Sequence, residues 1–170
     1  MATGAVGRPL AFGNNDRPGG MSAAAARTYL SRYAVLPGER IVVASNNDSA
    51  YATASELAGA GAEVTLLDAR TDISDERREQ ASSGAVDLVT GTAPLNALGA
   101  RGLRGLECAV ADGAGWRPGP TRDCDLLLVS GGWSPVVSLL SHRGVKPVWD
   151  AETACFLPGA TSEAIQTVGA

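Results

Sequence analysis

The sequence predicts an α/β fold, a three-layer arrangement around a parallel sheet with a small lateral β element. Three observations predict it. The segment Arg40-Ile-Val-Val-Ala-Ser-Asn-Asn-Asp-Ser-Ala-Tyr51 sets a short apolar run ahead of a polar loop and an apolar helix. A strand that is apolar without alternation is one buried on both faces, as parallel strands are. A second run, Glu63-Val-Thr-Leu-Leu-Asp-Ala-Arg70, completes a strand–helix–strand unit. The third, Asp125-Leu-Leu-Leu-Val129, leads into Ser130-Gly-Gly-Trp-Ser-Pro135. Glycines at a strand's carboxyl end present bare backbone to a ligand, here Gly131 and Gly132.

The elements follow in order. Residues 1–20 are turn-rich, with Asn14-Asn-Asp-Arg-Pro-Gly19, and leave room for one short strand. An alanine-rich helix over 21–33 is capped by Ser22. After Pro37-Gly38 comes the buried strand at 41–44. Asp48 or Ser49 can cap a helix over 49–57, on which Tyr51, Ala54, Leu57 and Ala58 share one side. Gly59 and Gly61 punctuate its end, and 64–67 is the second strand. A polar helix over 75–83 and a short strand at 87–90 continue the alternation. Residues 93–98 read as a short helix or loop, 106–111 as a strand, and 112–123, with glycines and prolines around Trp116, as a hairpin or surface loop. This region supplies the lateral β element. Two short apolar pieces in the tail, Phe156-Leu-Pro-Gly159 and Ile165-Gln-Thr-Val-Gly169, are expected to find their sheet neighbours outside this chain. The organisation read is therefore a connecting segment over 1–20, a central domain over 21–135 and a return segment over 136–170.

Asp68 closes the second strand, where a Rossmann-like unit puts the acid that hydrogen-bonds the adenosine ribose, a placement that favours NAD over NADP. The loop before it lacks the usual glycine fingerprint. Ser45, Asn46 and Asn47 instead offer side-chain donors and amides at a helix N-terminus, where the dipole favours a phosphate. Asp48 repels that phosphate unless it points away as the cap. Two readings stand: a working NAD site, or the same fold with the site empty or altered.

Composition narrows the classes. The 170 residues are 45% hydrophobic and carry a net charge of −4, enough apolar material for a core and no basic face for nucleic acid. No apolar run reaches the roughly 18–20 residues that span a bilayer, and no charged-then-apolar leader opens the chain, which points to the cytoplasm. Cys108, Cys124 and Cys155 lack metal or redox spacing and read as buried thiols. His142 is the single histidine and reads as a loop residue. No acid/base pair, nucleophile or metal cluster emerges, so the chemistry belongs to a cofactor.

Taken with Ala2-Thr-Gly-Ala5, Arg8-Pro-Leu10, Phe12, Ala25-Ala-Arg-Thr-Tyr-Leu30, Cys124-Asp125 and Phe156-Leu-Pro-Gly159, these motifs resemble the α subunits of heterotetrameric sarcosine oxidase across nearly the whole chain. The resemblance implies a two-dinucleotide flavoprotein in which an NAD-binding domain is inserted between segments of an FAD-binding one. The resemblance implies that the complete assembly oxidatively demethylates sarcosine to glycine. It further implies NAD contacts at Ser45, Asn46, Asn47, Asp48, Tyr51, Asp68 and Arg70. FAD contacts are implied at Thr3, Gly4, Gly131, Gly132 and Gly169, with FAD held only together with segments that this chain lacks. Partners are then the other oxidase subunits or the rest of the flavin domain. The alternatives are a non-catalytic structural or interaction remnant, and part of a related amine- or opine-oxidizing flavoprotein.

Overall fold

The computed structural model describes residues 2–161 together with 166 and 167. In chain order the elements are β1 (Ala5–Gly7), β2 (Gly20–Ser22), α1 (Ala23–Tyr33), β3 (Arg40–Ser45), α2 (Ser49–Gly59), β4 (Glu63–Asp68), α3 (Asp75–Ser83), β5 (Asp87–Thr90), β6 (Thr92–Leu98), β7 (Gly105–Asp112), β8 (Gly115–Asp123), β9 (Leu126–Ser130), β10 (Trp133–Pro135), α4 (Ser138–Ser141), β11 (Val148–Asp150) and β12 (Cys155–Leu157). They fall into two compact units, one of residues 9–132 and one of residues 1–8 with 133–170.

The larger unit is an α/β domain. Its parallel sheet runs in the order β2-β9-β3-β4-β5, with β3 at the centre. The run Ile41-Val42-Val43-Ala44 is apolar throughout because both faces are covered. Ile41 and Val43 join Leu66, Leu128, Tyr51, Leu57 and Ala26 in a core beneath the helices. Val42 and Ala44 join Leu67, Leu127, Leu106 and Cys108 in a second core on the opposite face. That face is roofed by the antiparallel sheet β6-β7-β8 in place of helices. The lateral β element is thus the third layer.

Local signals explain most boundaries. Ser22 caps α1, its hydroxyl accepting from the Ala25 amide at 3.2 Å. The Asp125 carboxylate accepts from the amides of Glu39 and Arg40 at 3.1–3.2 Å and so fixes the entry of β3 against β9. Residues 93–98 differ from the short helix or loop expected of them and form most of β6. Pro94 sits beside a register shift between Pro94 and Asn96 on an outer strand, where a missing amide is tolerated. Pairing with β7 imposes the strand on a segment with little local tendency toward it.

In the smaller unit β1 pairs antiparallel with β10, Ala5 opposite Pro135 and Gly7 opposite Trp133. The Phe156 piece does not await a neighbour from outside the chain. β12 pairs with β11, Trp149 opposite Phe156 with ring centroids 5.2 Å apart edge to face. The Arg8 guanidinium donates to the carbonyls of Thr153 and Ala154. His142 follows the single turn of α4. Cys108, Cys124 and Cys155 are free and buried, and burial pushes the Cys124 thiol up to about 12. No helix among the described residues is long and apolar enough to cross a membrane.

Two buried faces make a direct prediction. Leu66→Ala beneath the helices and Leu127→Ala beneath the lateral sheet each cost about 2–5 kcal/mol in urea unfolding. A loss under about 1 kcal/mol on the lateral face would show that the β6-β7-β8 layer does not seal a core.

Candidate functional site

The chain leaves β3 through α2 to β4 on one side, while β9 lies on the other. The carboxyl ends of β3 and β9 therefore form a topological switch point, the crevice in which open α/β sheets bind ligands. Asn46, Asn47 and Asp48 follow the end of β3, Asp68 and Arg70 stand at the end of the next strand, β4, and Tyr51 lies in the core on α2.

Asn47 ties the crevice together. Its Nδ2 donates to the Ser130 carbonyl at 2.8 Å and lies 3.2 Å from the Ser130 hydroxyl, joining the end of β3 to the end of β9. Its Oδ1 accepts from the Ser49 amide at 3.1 Å and the Ser49 hydroxyl at 2.5 Å. Asn47, one residue before Asp48, thus supplies the side-chain oxygen at the start of α2, and Asp48 makes no capping hydrogen bond. Ser45 is buried, its hydroxyl donating to the Asn47 carbonyl and accepting from the Asn47 amide. Asn46 is exposed. The side chains expected to offer donors to a phosphate are in large part spent within the loop.

Asp48 is released from the cap for another task. It accepts from Arg70 Nη2 at 2.8 Å and lies 3.4 Å from Arg77 Nε. Arg77, in the first turns of α3, was not singled out from the sequence. Neither was Ser130 as a partner of the loop, although its place directly after the run Asp125-Leu-Leu-Leu-Val129 is the available signal.

Asp68 is where the sequence expectation and the structure part. The expected role was an open acceptor for ribose hydroxyls, yet the residue has 0% exposure. Its Oδ1 accepts from the Arg70 amide and Nε, both at 3.0 Å. Its Oδ2 accepts from the Tyr51 hydroxyl and Arg70 Nη2, both at 2.8 Å. A carboxylate offers about four acceptor sites, and these four donors fill them. Burial pulls the Asp68 pKa upward, but the Arg70 side-chain and backbone hydrogen bonds, the Tyr51 hydrogen bond and the Arg70 charge outweigh it and hold the group below its usual 3.8. Tyr51, carried inward on the buried side of α2, has its phenol pushed well up by burial and by the Asp68 hydrogen bond and charge. The Arg70 guanidinium is raised, first by its hydrogen bond to Asp68.

The remaining anticipated residues divide between the units. Thr3 and Gly4 lie in the smaller one, where the Thr3 hydroxyl donates to the Val136 carbonyl at 2.7 Å and Gly4 adopts φ +73°. Gly131 and Gly132 follow β9 in the larger one, Gly132 at φ +90°. Gly169 lies outside the described residues. Among the described residues no group of His, Cys, Asp and Glu could hold a metal ion.

The fold places the chain in a recognisable class. A thioredoxin reductase from T. acidophilum matches with a TM-score of 0.67 at 12% identity, over 91% of this chain and 54% of that one. A NAD-dependent persulfide reductase from A. fulgidus matches at 0.63 and 18% identity, over 85% of this chain and 27% of that one. The chain has the α/β domain fold found within such reductases. No protein-family model matches it. It is 42% identical over 163 residues to the sarcosine oxidase subunit alpha of Corynebacterium sp. (strain P-1), covering 94% of this chain and 17% of that protein. With the subunit alpha of Rhizobium meliloti (strain 1021) it shares 38% over 170 residues, 99% of this chain and 16% of that protein. The chain is a homologue of one segment of the sarcosine oxidase alpha subunit, and spans about a sixth of the length of these curated relatives.

The Asp68 lock predicts a pH signature. The folded pKa lies below the unfolded one, so its stabilisation is present above about pH 4 and is lost as pH falls below that. Asp68→Asn loses about 3 kcal/mol at pH 7, the low end for breaking a buried pair because Arg70 can turn to solvent. It also flattens the acid limb of a denaturation-versus-pH curve. Tyr51→Phe costs about 1.5–3 kcal/mol, as expected of a hydrogen bond to a charged group. An acid limb identical in the wild type and Asp68→Asn contradicts the lock.

Proposed function

We propose that this chain is the nucleotide-binding segment of a sarcosine-oxidase-type flavoprotein oxidoreductase, with an adenine dinucleotide lying along the carboxyl ends of β3, β4 and β9. The observation that carries the reading is the switch point between β3 and β9, with α2 starting directly behind it. The relationship to sarcosine oxidase alpha subunits supports it. The residues fit such a ligand unevenly. Asn46 and the start of α2 stand where a pyrophosphate is expected, whereas the acid expected at the ribose is buried and fully engaged.

In this reading NAD is the dinucleotide of the central domain over 21–135. The flanking segments over 1–20 and 136–170 belong to an FAD domain, to which Thr3, Gly4, Gly131, Gly132 and Gly169 contribute alongside other segments. Hydride chemistry is what a nicotinamide or a flavin supplies when bound, and the residues of this chain bind and orient. The reaction of the complete assembly is oxidative demethylation of sarcosine to glycine, in the cytoplasm and with other subunits as partners. Trp149 and Phe156 support a partner surface, being 55% and 53% exposed on one side of the smaller unit's hairpin.

A second reading, a structural or interaction module that keeps the fold without a ligand, draws on the internal use of Asn47 and Asp68. Thermal unfolding separates the two. At a concentration a hundredfold above its Kd, a ligand of the folded state stabilises by about 2.7 kcal/mol. Millimolar NAD should therefore raise the melting temperature by several degrees and give measurable heat in calorimetric titration. A folded chain with neither response favours the structural module.

A further inference from the structure

The mismatch at the ribose end carries an inference that rests on the nucleotide reading and sharpens it. We propose that Arg70, and not Asp68, meets the adenosine half of the dinucleotide, with Asp68 acting as a positioning residue that Tyr51 pins in place.

The geometry assigns these roles. An atom with no accessible surface cannot accept from a ribose hydroxyl unless a present donor leaves, and every acceptor site on Asp68 is occupied by Tyr51 or Arg70. What stands open at the carboxyl end of β4 is Arg70, whose side chain is 35% exposed. Asp68 takes Nε and Nη2, so the guanidinium is gripped along one edge. Nη2 donates to Asp48 as well, and among the described residues Nη1 has no hydrogen-bond partner, which leaves its N–H groups to meet a ligand. The Arg70 carbonyl accepts from the Gly91 amide at 2.8 Å, which fixes the backbone that carries it. A guanidinium held flat in this way suits an adenine ring or a ribose oxygen.

The consequence is a change in selectivity. An open acid at this position favours the ribose hydroxyls of NAD and repels the 2′-phosphate of NADP. Here Asp68 is buried behind Arg70, and the exposed carboxylate of Asp48 is matched by the guanidiniums of Arg70 and Arg77. Glu76 adds a charge against Arg77 from α3 at 3.5 Å, with 78% of its side chain exposed. No unpaired buried carboxylate confronts a 2′-phosphate, so discrimination between the two nucleotides is weak.

The test is calorimetric titration of the purified chain with NADH, NADPH and ADP-ribose. It compares the wild type, Arg70→Ala, Arg70→Lys and Tyr51→Phe, each shown to be folded by circular dichroism. The wild type is expected to bind NADH and NADPH within about tenfold of each other. Arg70→Ala weakens all three ligands by at least about fivefold, the scale of a lost stacking cation, and Arg70→Lys recovers only part. Tyr51→Phe, which frees one acceptor position on Asp68, shifts the ratio toward NADH, an effect that loss of stability alone does not produce. A wild type that prefers NADH by more than about a hundredfold, with Arg70→Ala unchanged, overturns the proposal while leaving the nucleotide site intact. A folded wild type that binds none of the three overturns both.

Discussion

A carboxylate with no contact with water must find its hydrogen-bond donors inside the protein, and much of the carboxyl edge of this sheet follows from how Asp68 finds them. Leaving such a charge unpaired costs several kcal/mol, so the surroundings are over-determined. One donor comes from α2, through the Tyr51 hydroxyl, and three come from Arg70 two residues further on. Helix, strand end and following loop are thereby joined at one point. Arg70 in turn reaches Asp48, so the start of α2 is held to the end of β4 by charge as well as by packing. The neighbouring strand end is joined by a neutral device, the Asn47 amide spanning to Ser130. Between them the two clamps define the crevice in a loop that has none of the glycines that usually shape it.

The central architecture was legible because its signals are local. Ile41-Val42-Val43-Ala44 announces a strand covered on both faces, and Ser22 ahead of an alanine run announces a capped helix. The polar helix at Asp75–Ser83 and the strand at Asp87–Thr90 fall where the pattern put them. β6 was hidden because Pro94 and a register shift break the alternation that marks a strand, and its identity comes from β7. The β11–β12 pair was hidden for a similar reason. Each strand is three residues long, too short for periodicity to show, and both carry exposed aromatics that read as tail.

The site was legible in its members and not in their relations. The sequence brings Asp68 to a strand's end and Tyr51 to the inner side of a helix, but the hydroxyl-to-carboxylate contact between them depends on how deeply α2 packs. The bridge from Asn47 to Ser130 spans 83 positions, beyond what any local pattern carries. From the sequence Asp48 reads as a cap or a repulsive charge. It became an ion-pair partner of Arg70 because Asn47 supplies the oxygen the helix start needs. The family relationship describes what such a segment belongs to, whereas the internal pairing of its acids describes how this one differs from the open ribose acceptor of the general fold.

The most direct measurement of that difference is a crystal structure of the chain with ADP-ribose bound. The account predicts adenosine density against the Arg70 guanidinium, with both Asp68 oxygens still within hydrogen-bond distance of Tyr51 and Arg70. Density showing Asp68 turned outward onto the ribose hydroxyls, with Arg70 displaced, would contradict it.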